Sequence, residues 1–365
     1  MILDLDKKLK LYINKWVLDR DNFFSDLLYF QIHITNRCGN KCTHCYFHEI
    51  PTMGDIDFEE CCDFILKSKD LATRLNKKLK VDFIGGDPLL YPQIDALVDF
   101  CLTNNVTYGL KCNPNEIVNN WERIESVINN SNDIMLSIDG LEQTNDYIRG
   151  KGSFKTALKG IQLLKENNSM VRIHFTASKK NNQEIISLFD FLLNENFIID
   201  DFTWGRYWSA SDLENVLTED DLVILFEKNI DYLNKVFCDK SHFYFNQENR
   251  LVPKIFYSFK EHLWIPFFIE HNILIDDVMN QILKKKDCIN CTGTKDIYIV
   301  DQKFNIFNCR KIDTTYNNID SFFSGKRHKL SFKNYLCNDC VYVNVCKSCL
   351  AIPKVSCIYY KKEVK

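Results

Sequence analysis

Six times between Tyr29 and about Phe237, a short run rich in β-branched and aromatic residues is followed by a longer stretch whose apolar residues recur at helical spacing. The runs are Tyr29–Thr35, Lys80–Ile84, Thr107–Lys111, Ile134–Ile138, Arg172–Ala177 and Phe202–Tyr207. The helical stretches are Asp57–Leu75, Gln93–Asn104, Ile117–Ile128, Ser153–Asn167, Gln183–Asn194 and Glu219–Val236. A helix of this length between two strands carries the chain back to the starting edge, so that the strands pair in parallel. Six such units predict an α/β fold, a parallel sheet left open or curved into a partial (βα)6 barrel. Its chemistry is expected at the carboxyl ends of the strands.

The chain has 365 residues, 45% of them hydrophobic, enough to bury a substantial core and to exclude intrinsic disorder. Its 46 basic residues face 49 acidic ones, which argues against a dedicated nucleic-acid or anionic-membrane surface. The longest aromatic-aliphatic stretch, Leu263 to Ile269, contains Pro266 and is far shorter than the ~20 residues a membrane helix needs. Met1 to Trp16 lacks the continuous apolar region of a signal peptide, so a cytoplasmic location is expected. The expected division is an amino-terminal extension over 1–28, the barrel over 29–237, an aromatic-rich linker over 238–287 and a cysteine-rich domain over 288–365. The rings of the segment from Ser241 to Asn272, with Trp204 and Trp208, read first as packing and second as a wall of a substrate groove.

Sixteen cysteines in a reducing compartment point to metal ligation wherever their spacing is tight. Cys61, Cys62, Cys101, Cys112 and Cys238 have no such spacing and are expected as ordinary thiols. Directly after the first strand the chain reads Cys38-x3-Cys42-x2-Cys45. Three thiolates at this spacing wrap one face of an iron–sulfur cluster, and a 4Fe–4S cube then keeps one iron open to a small molecule. Structural zinc, with His44 or His48 as fourth ligand, is the alternative. Eight more cysteines follow as Cys288-x2-Cys291-x17-Cys309 and Cys337-x2-Cys340-x5-Cys346-x2-Cys349-x7-Cys357, enough for two four-cysteine sites.

The first loop resembles the signature of the radical SAM superfamily, and further motifs fall in that family's order. Gly85-Gly86-Asp87-Pro88 after the second strand is similar to its Gly-Gly-Glu-Pro, and Ser137-Ile138-Asp139-Gly140 with Arg149 resembles its later segment. The resemblance implies that Cys38, Cys42 and Cys45 hold a 4Fe–4S cluster whose fourth iron is chelated by S-adenosylmethionine. It implies that Gly85, Gly86, Asp87 and Pro88 hold the methionyl ammonium, Asp87 being one methylene shorter than the family's Glu. Glycine is expected there so that the backbone can approach the ligand. Ser137 is implied at the ribose or carboxylate and Arg149 at the carboxylate, where a guanidinium suits forked bonding, with Asp139 implied as a further cofactor-binding residue. Asn113 and Thr176 are implied as further cofactor contacts, or else as a helix cap and a polar strand end.

The carboxyl-terminal block resembles the SPASM extension with two auxiliary 4Fe–4S clusters, implying Cys288, Cys291, Cys309 and Cys349 on one and Cys337, Cys340, Cys346 and Cys357 on the other. Phe304 stands where that pattern carries glycine, and the spacing before Cys349 is one residue short. The implied activity is formation of a 5′-deoxyadenosyl radical and oxidation of a peptide or protein, with a ribosomal peptide maturase leading and an anaerobic sulfatase-maturating enzyme second. A flavodoxin- or ferredoxin-like donor and a separate leader-binding protein are the implied partners. A non-catalytic zinc or iron–sulfur scaffold or electron carrier is the reading from another class; it leaves the motifs after the second and fourth strands unexplained.

Overall fold

The computed structural model describes residues 5–45, 54–209, 211–261, 263–284, 295–308, 315–316 and 322–324. Its core is a run of strand–helix units: β1 (Leu27–Thr35), α2 (Phe58–Arg74), β2 (Lys78–Gly85), α3 (Ile94–Thr103), β3 (Thr107–Cys112), α4 (Pro114–Asn119), α5 (Trp121–Asn129), β4 (Ile134–Ser137), α6 (Glu142–Arg149), α7 (Ser153–Glu166), β5 (Val171–Ala177), α8 (Glu184–Asn194), β6 (Ile199–Arg206) and α9 (Glu219–Cys238). α1 (Lys7–Ser25) precedes them. After them come the hairpin β7 (Phe243–Phe245) and β8 (Leu251–Pro253), then β9 (Ile255–Ser258), α10 (Trp264–Glu270), α11 (Asp276–Leu283), β10 (Ile297–Val300), β11 (Ile306–Phe307) and β12 (Thr315–Tyr316).

All six expected strands are present with ends within three residues of the sequence reading. One helix differs. The stretch expected as Ile117–Ile128 is two helices, because Pro114 opens α4 under an Asn113 cap and the chain turns out of helical geometry at Asn120.

The sheet runs β12-β11-β10-β1-β2-β3-β4-β5-β6-β9, and every pairing from β10 to β9 is parallel. It therefore extends past the six expected strands on both sides. β9 comes from the segment expected as a linker, and β10 lies beyond 288, where the cysteine-rich domain was expected to begin.

The two faces differ sharply. On β5, Val171, Ile173, Phe175 and Ala177 are 0% exposed while Arg172, His174 and Thr176 between them are half-buried. On β1, Leu28, Phe30, Ile32 and Ile34 are likewise buried, Phe30 against Phe64 of α2. The apolar row packs under the helices, each large side chain contributing roughly 1.5–3 kcal/mol; the polar row lines a lumen that solvent reaches.

α1 spans this lumen's two sides. Asp6 caps it, and Leu9, Ile13, Trp16 and Val17 form its buried stripe. Tyr12 Oη donates to Tyr257 O (2.6 Å) and Trp16 Nε1 to Ser258 Oγ (3.3 Å) on β9, while Phe24 packs on Leu27, Tyr29 and Ile297 of β1 and β10.

The aromatic segment is mostly core. Tyr257, Phe259, Trp264, Phe267 and Phe268 are buried, Trp264 stacking on Phe226 at 4.0 Å and meeting Trp204 edge-on at 6.2 Å. Trp204, 1% exposed, is thus no substrate wall. Cys61, Cys62, Cys101 and Cys112 are buried thiols and Cys238 is exposed. All eight cysteines from Cys288 to Cys357 lie outside the described residues, as does His48. Among the described residues no helix is long and apolar enough to cross a membrane.

Candidate active site

The cysteine loop leaves the carboxyl end of β1 and is fastened by the turn after β2. Gly86 N donates to Thr35 O (2.8 Å) and Asp87 N to Arg37 O (2.7 Å), so the two turns are sewn together by backbone bonds. This explains the glycines. A Cβ on Gly85, at φ +148°, would stand 2.2 Å from Thr35 O, and one on Gly86 would stand 2.3 Å from Arg37 O. The close approach expected toward a ligand is made to the cysteine loop itself. Arg37 pairs with Asp55 (2.9 Å), Thr35 Oγ1 donates to the same carboxylate (2.5 Å), and Asn115 Nδ2 donates to Asn40 Oδ1 (2.8 Å).

Asp87 is fully buried and faces away from solvent. Its carboxylate accepts from Leu89 N (3.1 Å) and Asn113 N (3.3 Å), tying the loop after β2 to the loop after β3. Burial pushes its carboxyl up to about 7, against those two donors. Pro88 opens the short turn that Asp87 caps, and Asn113 Oδ1 accepts from Asn115 N (3.0 Å), the helix-cap alternative.

Asp139, after β4, is the hub of the opposite side. Its fully buried carboxylate accepts from Thr176 N (2.7 Å) and from Arg149 Nε and Nη2 (both 2.6 Å), and lies 3.3 Å from His44 Nε2. The forked face of Arg149 is thereby committed within the protein, leaving Nη1 4.0 Å from Cys42 Sγ. Partial burial pushes the Cys42 thiol above its ordinary value and the Arg149 cation pulls it back. Thr43 N donates to Ile148 O (2.9 Å), which fixes the cysteine loop to the end of α6. Ser137, half-buried at the end of β4, faces the lumen beside His174.

Three residues that the sequence reading passed over hold this hub. Asn145 Oδ1 accepts from Asp139 N (2.9 Å), Asn181 Nδ2 donates to Asp139 O (2.9 Å), and Glu184 accepts from Leu141 N (2.8 Å) and Thr144 Oγ1 (2.5 Å). Nothing in their spacing marks them, because each acts across a loop.

Three thiols on one loop fit an iron–sulfur cluster, and His48, the other expected zinc ligand, lies outside the described residues. His44 is turned to Asp139, and among the described residues no three His, Cys, Asp or Glu side chains converge where one ion could bind. A cube takes one thiolate on each of several irons, so its ligands need not converge.

Residues 32–192 match the family model for the Radical SAM superfamily. The chain carries a radical SAM domain. It is 33% identical over 159 residues to an uncharacterized protein of Methanocaldococcus jannaschii, covering 41% of this chain and 53% of that one. It is 29% identical over 174 residues to Fe-coproporphyrin III synthase of Methanosarcina barkeri, covering 45% and 40%. It is 25% identical over 167 residues to the antilisterial bacteriocin subtilosin biosynthesis protein AlbA of Bacillus subtilis, covering 45% and 36%. The chain thus spans between about a third and a half of these relatives' lengths. In fold it is similar to Streptococcus suis SuiB bound to precursor peptide SuiA, at a TM-score of 0.64 and 19% identity, covering 94% of this chain and 76% of that one. The radical SAM domain thus includes the cysteine loop, the Gly85-Gly86 turn and the Asp139 hub.

Proposed function

We propose that the chain is a radical S-adenosylmethionine enzyme that oxidatively modifies a peptide. The observation that carries this reading is the clamp: three thiols at the end of β1 are locked by Gly85 and Gly86 and faced by the Arg149 cation. Cys38, Cys42 and Cys45 would hold a 4Fe–4S cluster, which supplies reductive cleavage of the S-adenosylmethionine sulfonium to a 5′-deoxyadenosyl radical able to take a substrate hydrogen atom. The protein's own work is positional. Gly85 and Gly86 let the turn after β2 close on the cysteine loop, Asp87 and Pro88 set that turn, and the four would hold the methionyl group beside it. Ser137 and Thr176 line the lumen rim, with Asn113 at the neighbouring loop. Asp139 holds Arg149 so that Nη1 places positive charge beside the thiolates.

Peptide modification is supported by the relative named for subtilosin biosynthesis and by the fold shared with SuiB, whose structure holds its precursor peptide. The division into extension, barrel, linker and cysteine-rich domain belongs to this proposal. So do two auxiliary clusters on Cys288, Cys291, Cys309, Cys337, Cys340, Cys346, Cys349 and Cys357, a flavodoxin- or ferredoxin-like donor and a separate leader-binding protein. Anaerobic reconstitution tests it: about twelve irons per chain, three clusters of four, and 5′-deoxyadenosine released with dithionite and S-adenosylmethionine. Cys42→Ala removes that product. Stoichiometric zinc with no deoxyadenosine overturns the reading.

A further inference from the structure

Deeper in the lumen the inward side chains form a charged layer that cofactor binding leaves without a role. Asp82 pairs with Lys80 (3.6 Å) and Lys111 (3.5 Å), Asp133 with Lys80 (2.5 Å) and Arg172 (3.4 Å), and Asp201 with Arg172 (2.9 Å). With Arg149 on Asp139, each of these four cations has a carboxylate. Lys260, two residues beyond β9, is different: among the described residues its ammonium makes no hydrogen bond or ion pair. It is the surplus positive charge of the lumen.

Its surroundings lack an anion to match. Lys260 stands near Lys111, Arg20 and Arg172, with Asp201 opposing them, and burial together with these cations pushes it down to about 7. His174 stands near Lys260, Lys111, Arg149 and Arg172, and burial and those charges hold it well below its ordinary value. In the sheet His174 lies between Ser137 and Thr203, with its Nε2 3.2 Å from where a Cβ on Gly205 would sit, so the missing side chain makes room for the ring. Thr203, 2% exposed, has a buried hydroxyl oxygen with no hydrogen-bond partner. Lys111, His174, Gly205 and Lys260 are each half-buried as residues, while Thr203 is sealed.

An unpaired ammonium, a second lysine, a neutral imidazole and an unsatisfied hydroxyl gathered on neighbouring strands, with Thr203 paired to His174 on one side and to Ser258, two residues before Lys260, on the other, want an acceptor with negative charge. We propose that Lys260, with Lys111, His174 and Thr203, binds a carboxylate of the substrate. This rests on the reading of the chain as a peptide-modifying enzyme, and it makes that substrate an acidic side chain or a peptide carboxyl terminus held below the cysteine loop.

Protection from acylation tests it in the reconstituted wild-type holoenzyme. Sulfo-N-hydroxysuccinimidyl acetate is applied anaerobically near neutral pH, and acetylation of each lysine is followed by peptide-mapping mass spectrometry. The probes are N-acetylalanine for a carboxyl terminus, N-acetylaspartate amide for a side chain, and N-acetylalanine amide as neutral control. One of the two acids slows labelling of Lys260 at least several-fold and saturably, and the neutral amide does not; which acid does so names the source. Lys260→Gln weakens binding of that acid, measured by calorimetry, by about tenfold, the loss of one charge-assisted bond. Protection by neither acid, or equally by the amide, overturns the inference. Deoxyadenosine release in the same preparation separates the two readings: product without protection sinks only the carboxylate site, and no product sinks the enzyme.

Discussion

The glycine clamp makes a sharp forecast about which glycine the cysteine loop can lose. In Gly86→Ala the new Cβ starts 2.3 Å from Arg37 O and 2.8 Å from Asn36 O. Ordinary contact requires the two turns to part by about 1 Å. That separation breaks the bonds from Gly86 N to Thr35 O (2.8 Å) and from Asp87 N to Arg37 O (2.7 Å). Two lost hydrogen bonds at about 1 kcal/mol each and overpacking of about 1–3 kcal/mol give a loss of roughly 3–5 kcal/mol. Gly39 sits inside the cysteine motif, yet a Cβ there meets nothing within 4 Å, so Gly39→Ala changes stability by less than about 0.5 kcal/mol. Urea denaturation of the apo chains measures the stabilities, and iron analysis after anaerobic reconstitution measures the cluster. Gly86→Ala is expected to lose about four irons, the share of one cluster, and Gly39→Ala none. If Gly86→Ala kept both its stability and its iron, or Gly39→Ala were equally damaged, the clamp would be wrong.

Asp139→Asn removes the charge opposite Arg149, whose side chain is 15% exposed, and is expected to destabilise by about 3 kcal/mol, lowering Tm by several degrees and weakening S-adenosylmethionine binding. An unchanged Tm and affinity would refute its place as hub. Phe304 holds φ +59° while its ring packs against Phe64, so Phe304→Gly relieves about 1–2 kcal/mol of backbone strain but loses about 3–5 kcal/mol of buried ring. Net destabilisation in denaturant melts is expected, and a more stable variant would contradict it. Lys260 at about 7 when folded lies below its ordinary value when unfolded. Between about pH 7 and 10 the unfolded chain therefore binds more protons, and stability rises with pH across that window. Lys260→Gln flattens this rise in melts from pH 6.5 to 9.5; an unaltered slope would show that Lys260 titrates normally.

Local pattern made the barrel's repeating part legible: a strand with one buried face, then a helix with one apolar stripe, six times. What escaped was non-local. β10 is four residues, Ile297 to Val300, and finds its place only by pairing with β1. β9 is hidden among aromatic residues that read first as packing, as their buried rings bear out, but in a segment expected as a linker and with no alternation to mark a strand. α1 does carry a signal, the Asp6 cap and the stripe Leu9, Ile13, Trp16 and Val17 at helical spacing, inside the segment expected as an extension. At the site, the cysteines and glycines announce themselves by spacing. Asn145, Asn181 and Glu184 do not, because their partners are chosen by loop geometry, and Lys260 follows a strand, β9, that the sequence reading did not foresee.

The position of α1 sets an order of events in the cell. Asn14 donates to Ile273 O (3.0 Å) and accepts from Ile275 N (2.9 Å), so the first helix is seated by residues made about 260 positions later. At roughly 5–20 residues per second of synthesis, its apolar stripe waits some ten to fifty seconds for a partner. Through that interval the nascent chain carries an amphipathic helix whose stripe is uncovered, and premature termination before β9 would leave Tyr12 and Trp16 without their partners. Full seating of the first helix thus waits for synthesis of the segment around Tyr257.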